Sequence, residues 1–416
     1  MNPIISSHRS IPHGLSRVVS DHTGLIQRLS ILRPNRSQPQ IFVTEPTECD
    51  LSTLLPDSTN DSIEAAGKAL TKTESIEGAI GEFLERYCLY WPDQSPRACA
   101  YNELDPANTV PERFLDVIPA SVAERFNRET FSRDLVLQWS SGRNLLNGTK
   151  TYFPTQYVHI NADRGEVYPH VFESTTNGCA AAPTMKEALS RSICEFVERD
   201  AFIKTWYQSE SPKSIDCSNF EDVNRIKNQR FEFPNLSFQH IQLETELPVS
   251  AVGCIAYDHR GVTPKFVMGI DAAVDIEEAL LESMIEAAQG WPYIQYLTAT
   301  ADDPIEPDRV DNFRDNVQYY ANHDRFDEVA HLLNGETITP TSSGRKQESL
   351  SEWLEMAEQF NLTPIAFDLT TPDVRDIGVH VTRVVIPELL SLSLPSIPHA
   401  IHPRFPDGHR KMHPLP

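Results

Sequence analysis

The sequence predicts an α/β or α+β enzyme with long helices packed on mixed sheets. Three long stretches carry a helical stripe of apolar residues, and short β-rich runs lie between them. Hydrophobic residues make up 40% and charged residues 23% of the 416 residues, close to the globular norm. That length allows one large enzyme domain or several smaller ones.

Residues 1–60 are rich in Pro, Ser, Thr, Asn and Asp and read as an irregular N-terminal arm or small subdomain. Residues 61–395, where helical and strand patterns alternate, read as the main folded domain. The first helix is predicted over 72–90, with Ile76, Ala79, Ile80, Phe83, Leu84, Tyr87, Cys88 and Trp91 on one stripe. Thr71 and Glu74 give it a capping-box start. The second is predicted over 185–207, where Thr184 and Glu187 repeat that signal after Pro183. The third is predicted over 276–289, opened by Asp275 and Glu278 and stopped by Gly290. Strands are predicted over 152–160, 251–257, 265–270, 365–369 and 379–386. The pair around DHRGVTP reads as a hairpin. Residues 396–416, rich in Pro and His, lack periodicity and read as an extended tail.

Asp plus Glu is 59 and Lys plus Arg is 36, a formal charge of -23. That balance argues against nucleic acid and anionic membrane as partners. Arg outnumbers Lys 26 to 10, so the acidity suits a salt-rich cytoplasm as well as ordinary solubility. No run approaches the roughly 20 apolar residues of a membrane helix, and the first residues lack a signal-peptide pattern. A cytoplasmic location is expected. The seven cysteines form no CxxC pair, so neither a disulfide framework nor a zinc ribbon is expected. Cys179 and Cys194 have no evident histidine partner and read as buried thiols. The tail histidines, His399, His402, His409 and His413, read as part of a mobile polar segment rather than a metal site.

The chemistry concentrates in an internal echo. The first two helices contain GEFLERYCLYW and CEFVERDAFIKTW, each with Glu-Phe-x-Glu-Arg. Glu82, Glu85 and Arg86 share one helix face, and Glu195, Glu198 and Arg199 share another. The third helix adds Glu282, Glu286 and Gln289 at the same kind of spacing. Clustered carboxylates need a cation, and Mg²⁺ takes oxygen ligands together with substrate phosphates. The arginines suit phosphate oxygens. Each face taken alone also reads as a solvated row of i,i+4 ion pairs. No Walker A loop is present, because Gly67-Lys68 is followed by Ala69. Lys68 reads either as a point charge for phosphate or as an exposed lysine in a turn. The loop STTNGCAAAPT over 174–184 suits close approach of backbone to a ligand.

The segments GKALT, EFLERY, STTNGCAAAPTMKEAL and CEFVERDAFIKTW together resemble the YcaO family, in particular its peptide-modifying azoline-forming cyclodehydratases. ALLESMIEAAQ, DLTTPDVRDIGVHVTRVVIP and the closing HPLP extend the resemblance over roughly residues 20–416. The resemblance implies a YcaO-type fold with a non-Walker ATP site, ATP and Mg²⁺ as cofactors, and phosphorylation of a backbone amide oxygen. By position, Glu82, Glu85, Glu195, Glu198 and Glu286 resemble the family's magnesium and nucleotide ligands. Lys68, Arg86, Arg199, Ser174 and Asn177 resemble its phosphate and nucleotide contacts, with Glu282 and Gln289 as further candidates. Arg199 is also a catalytic candidate.

Three departures stand out. Gly78 takes a place where the family often has Ser. The ending Met412-His413-Pro414-Leu415-Pro416 keeps two of three expected prolines, which leaves the carboxylate of Pro416 as the candidate base. A Gly-rich stretch before the tail is not recognisable. The resemblance also implies a precursor peptide as substrate and a separate E1-like or leader-binding partner. An azoline-oxidising flavin dehydrogenase would be a further separate protein, and a homodimer is expected. Two other readings remain open: thioamide formation at the same ATP site, and a non-enzymatic scaffold.

Overall fold

The computed structural model describes the chain except residues 1–3, 6–14, 35, 37, 52–53, 56–62, 92, 94, 116–119, 126, 161–166, 209–210, 261–263, 301–304, 311, 345–348, 394–401, 405–411 and 416. In chain order the elements begin with β1 (Ile4–Ile5), β2 (Ile26–Leu32), β3 (Phe42–Glu48), β4 (Gly67–Ala69), α1 (Lys72–Tyr90) and β5 (Arg97–Ala100). There follow α2 (Ala120–Arg125), β6 (Val136–Asn144), β7 (Lys150–Pro154), α3 (Thr155–Val158), β8 (Cys179–Ala182), α4 (Met185–Gln208) and β9 (Ser214–Ile215). Next come α5 (Glu221–Arg230), β10 (Leu236–Gln242), β11 (Ser250–Asp258), β12 (Phe266–Ala273) and α6 (Ile276–Ala299). The remainder is α7 (Phe313–Ala321), β13 (Thr337–Ile338), α8 (Leu350–Gln359), β14 (Ile365–Asp368), α9 (Pro372–Asp376) and β15 (His380–Val385).

These strands build three sheets, in the orders β1-β2-β3-β4, β12-β11-β10-β9-β13 and β5-β6-β14-β15-β8, with β7 paired to β6. The hairpin expected around DHRGVTP is present as antiparallel β11 and β12, with Tyr257 opposite Phe266. One long helix belongs to each sheet: α1 packs on β4 and β3, α4 on β15 and β8, and α6 on β12 and β11. α4 also spans two cores. Its first half buries Ile193, Phe196 and Val197 among the residues of the third sheet. Its second half buries Phe202, Ile203 and Trp206 beside the second sheet. The helices start as their sequences predict: the Thr71 hydroxyl accepts from the Glu74 amide (3.3 Å) and the Thr184 hydroxyl from the Glu187 amide (3.2 Å).

Four expectations fail for identifiable reasons. The third helix does not stop at Gly290 but continues through Pro292 to Ala299. Trp291, Ile294 and Leu297 bury the extra turns, and tertiary packing overrides the local breakers. The strand expected over 152–160 ends at Pro154, after which Thr155–Val158 turns helical; the fixed φ of proline suits that exit. The first 60 residues are not wholly irregular. β2 and β3 pair along most of their length, and β3 pairs with β4, so the sheet crosses the boundary expected at 60. Ile41 joins a buried cluster with Phe231 and Phe238, and Arg230 donates to the carbonyls of Gln40 (3.0 Å) and Leu70 (3.1 Å). Finally, the described tail residues are not a mobile segment: His402 and His413 are 5% and 1% exposed. His399, His409 and Pro416 lie outside the described residues.

Candidate active site

Lys68 lies on β4, not in a turn. Its strand sits tight against α1: a Cβ on Gly67 would lie 1.9 Å from the Ser75 carbonyl and 2.2 Å from the Ala79 amide. Only glycine permits that approach, which brings β4 over the helix that carries Glu82 and Glu85. The Lys68 ammonium reaches across to α6 and stands 3.4 Å from Glu286. Burial pulls its pKa down, but Glu286, Glu82, Glu198 and Glu282 more than offset this and hold it above the usual lysine value.

The other cations are held in the same way. Arg86 pairs with Glu82 at 2.7 Å and donates to the Glu64 carbonyl. The second Glu82 oxygen accepts from the Ala66 amide at 2.7 Å. Arg199 lies 3.4 Å from Glu195 and 3.5 Å from Glu198. Glu286 also accepts from the Ile270 amide at 3.1 Å, which ties α6 to β12. Glu282 stands one turn before Glu286, and burial raises its pKa. Gln289 is half-buried, one turn beyond Glu286.

Two members escaped the sequence reading. Arg383 on β15 is fully buried. One of its amines donates to the Val158 carbonyl and the Ser174 hydroxyl, each at 3.0 Å, while Nε and the other amine have no hydrogen-bond partner. It lies inside DLTTPDVRDIGVHVTRVVIP, so a signal was available. Asp271 on β12 is pushed well above the usual carboxylate range by burial and by Glu198, Glu282 and Glu286. Its only sequence signal was a lone acid in an otherwise apolar strand.

Seven carboxylates (Glu82, Glu85, Glu195, Glu198, Asp271, Glu282 and Glu286) thus share one region with four cations (Lys68, Arg86, Arg199 and Arg383). The imbalance shows in their titration. Burial raises Glu85, Glu195 and Glu198 to about 8 each, helped by neighbouring carboxylates and opposed by Arg86, Arg199 and Arg383. The five glutamates expected to ligate metal are not gathered into a ligand set. Among the described residues no group of three or more His, Cys, Asp or Glu side chains could hold an ion as it stands. Lysine and arginine pair with their carboxylate oxygens: Lys68 with Glu286, Arg86 with Glu82, and Arg199 with Glu195 and Glu198. The donor set nevertheless fits a divalent cation with a polyphosphate. It offers hard oxygens in excess and a buried guanidinium with unpaired donors.

The STTNG loop borders this region. Ser174 accepts from Arg383, and its hydroxyl donates to the Tyr157 carbonyl at 3.2 Å. Asn177 is 2% exposed and donates to the Leu392 carbonyl. Gly178 takes φ +70°, and a Cβ there would meet the Val384 carbonyl at 2.1 Å. Cys194 donates to the Ala272 carbonyl at 3.0 Å, and burial pushes its thiol and that of Cys179 well up. The sequence showed no cysteine–histidine pair, yet Cys217 and His240 lie 3.4 Å apart. Burial raises that thiol to about 11 and lowers that imidazole to about 4, so the pair is neutral and unsuited to nucleophilic work. No helix among the described residues is long and apolar enough to cross a membrane.

Residues 66–390 match the YcaO cyclodehydratase family, described as ATP- and Mg²⁺-binding, and the chain belongs to that family. An uncharacterised protein of Methanothermobacter thermautotrophicus is 24% identical over 83% of this chain and 88% of its own length. The microcin B17-processing protein McbD of Escherichia coli is 25% identical over 39% of each chain. Among solved structures, a heterocyclase in complex with substrate and cofactor superposes with a TM-score of 0.72 at 18% identity over 94% of this chain. The chain spans about half that heterocyclase's length, 54%. YcaO from Methanopyrus kandleri, bound with AMPPCP and Mg²⁺, gives 0.60 at 20% identity over 88% of this chain and 86% of its own. The E. coli microcin synthetase McbBCD complex with pro-MccB17 gives 0.64 at 17% identity and full coverage of both chains. The mixed α/β architecture is therefore that of the YcaO heterocyclases.

Proposed function

We propose that the chain is an ATP-dependent cyclodehydratase acting on Cys, Ser or Thr residues of a ribosomally made precursor peptide. The observation that carries this reading is the surplus of half-buried carboxylates from α1, α4 and α6, interleaved with Lys68 and three arginines, in a chain of the YcaO family. Glu82, Glu85, Glu195, Glu198 and Glu286 would hold Mg²⁺. Lys68, Arg86, Arg199, Ser174, Asn177, Glu282 and Gln289 would bind and orient the nucleotide.

The reaction begins when a side-chain sulfur or oxygen of the peptide attacks the preceding amide carbon and gives up its proton. The amide oxygen, now an oxyanion, takes the γ-phosphoryl group of ATP and ADP leaves. Loss of phosphate and of the N–H proton closes the C=N bond of the azoline. Hydroxide is a poor leaving group and phosphate a good one. Arg199 is the candidate for stabilising the oxyanion electrostatically, and the carboxylate of Pro416 is the candidate base. Within this reading the peptide is presented by a separate E1-like or leader-binding protein; the similarity to the McbBCD complex with pro-MccB17 bound supports a multi-protein assembly on a pro-peptide. A flavin dehydrogenase would act afterwards, and a homodimer is the proposed state of the chain.

The test is mass spectrometry of a candidate peptide incubated with the protein, its leader-binding partner, ATP and Mg²⁺. Loss of one water per modified residue, abolished in Glu198→Ala, is expected. Exchange of oxygen for sulfur on adding sulfide would assign thioamide formation instead. An unchanged peptide with no ATP consumed would leave a scaffold.

A further inference from the structure

Residues 412–415 occupy a built socket. Asn316 of α7 is fully buried, and its one amide group donates to two carbonyls of this segment, His413 at 2.9 Å and Leu415 at 2.8 Å. Tyr320, one turn on, donates to the Met412 carbonyl at 2.6 Å. The His413 ring packs edge-on against Phe202 of α4 and bonds the Ser393 carbonyl at 2.9 Å. Leu415 is 3% exposed, in one buried cluster with Phe202, Ile270 and Ala272. Those last two flank Asp271, and Phe202 stands one turn from Arg199.

The segment 390–393 links this socket to the site. Its Leu392 carbonyl accepts from Asn177 and its Ser393 carbonyl from His413. Its Leu390 amide donates to Asp200 at 2.7 Å, and Asp200 also holds Arg404. The Asn316 amide oxygen is buried without a hydrogen-bond partner. A buried unpaired carbonyl costs stability.

We propose that Asn316 is a positioning residue: it seats residues 412–415 and, through His413 and residues 390–393, fixes Asn177 at the candidate nucleotide site. The nucleotide part of this statement rests on the function proposed above; the mechanical part does not. Hydrogen exchange on the full chain without ligand tests the mechanics. Asn316→Leu should keep exchange of β11 unchanged while amides of 413, 415, 390–393 and 174–178 exchange about tenfold faster, the scale of one lost buried hydrogen bond. Tyr320→Phe keeps the ring and should move the same amides less. Asn316→Leu combined with His413→Ala should add little to either single change. Faster exchange confined to α7, or simple additivity, would overturn the proposal. Titration with a non-hydrolysable ATP analogue and Mg²⁺ then reads the site, with about tenfold weaker binding expected in Asn316→Leu. If the unaltered chain binds no nucleotide, the proposed function fails, and the exchange data still decide the socket.

Discussion

Gly78 of α1 isolates what one side chain adds to the nucleotide site. A Cβ there would meet only the Gly67 Cα at 3.5 Å, an ordinary contact. Glycine inside a helix costs about 0.5 kcal/mol relative to serine on propensity alone. Gly78→Ser should therefore raise thermal stability slightly and strengthen binding of an ATP analogue if a hydroxyl can donate there. A thermal melt and a binding titration check both. A loss of stability would mean that β4 and α1 are packed too tightly for any side chain. The glutamates were legible at this scale because the Glu-Phe-x-Glu-Arg echo and the three- and four-residue spacing mark shared helix faces along the chain itself. Arg383 carried a signal only as part of the segment DLTTPDVRDIGVHVTRVVIP, and Asp271 only that of a lone acid in an apolar strand. Each lies alone on a strand, and a strand's partners are set by pairing across the sheet rather than by spacing along the chain.

Among the elements, β4 is short but decisive. Three residues place Lys68 over α1 and against Glu286 of α6. Gly67→Ala should force β4 off α1, because the new methyl would overlap helix backbone that cannot move aside. Overpacking of this kind costs about 1–3 kcal/mol or more. The lysine would move with the strand, so nucleotide binding should weaken beyond what the lost stability explains. Chemical denaturation together with an analogue titration measures the two effects separately. The starts of α1 and α4 were readable from Thr71 and Thr184, since a cap is local chemistry. The end of α6 was not, because Gly290 and Pro292 are local signals overruled by the burial of Trp291 and Ile294. The N-terminal strands were missed because β2 and β3 pair with each other inside a polar, Pro-rich composition that suggested an arm, and the further partner β4 comes from beyond it.

At the scale of the molecule, three helices from three sheets bring their carboxylates to one recess, and the fold carries the electrostatic cost. Glu85, Glu195 and Glu198 titrate near 8 in the folded chain against an ordinary value of 4.5. Between those values the folded state binds more protons than the unfolded one, so stability should fall as pH rises from about 4.5 to about 8. Mg²⁺ with a nucleotide should offset the loss, and offset it most at the upper end, where the carboxylates are ionised. Melting curves across that range, with and without both ligands, check the sign. A flat or rising profile in the unliganded protein would contradict the crowding of charge.

The most direct measurement of the central claim is calorimetric titration of the purified chain with a non-hydrolysable ATP analogue, with Mg²⁺ and then with chelator in its place. Saturable one-to-one binding that requires Mg²⁺ and is lost in Glu198→Ala is the predicted result. Binding indifferent to the metal, or no binding in a chain that is folded and pure, would contradict the assignment of these helices to a Mg²⁺-nucleotide site.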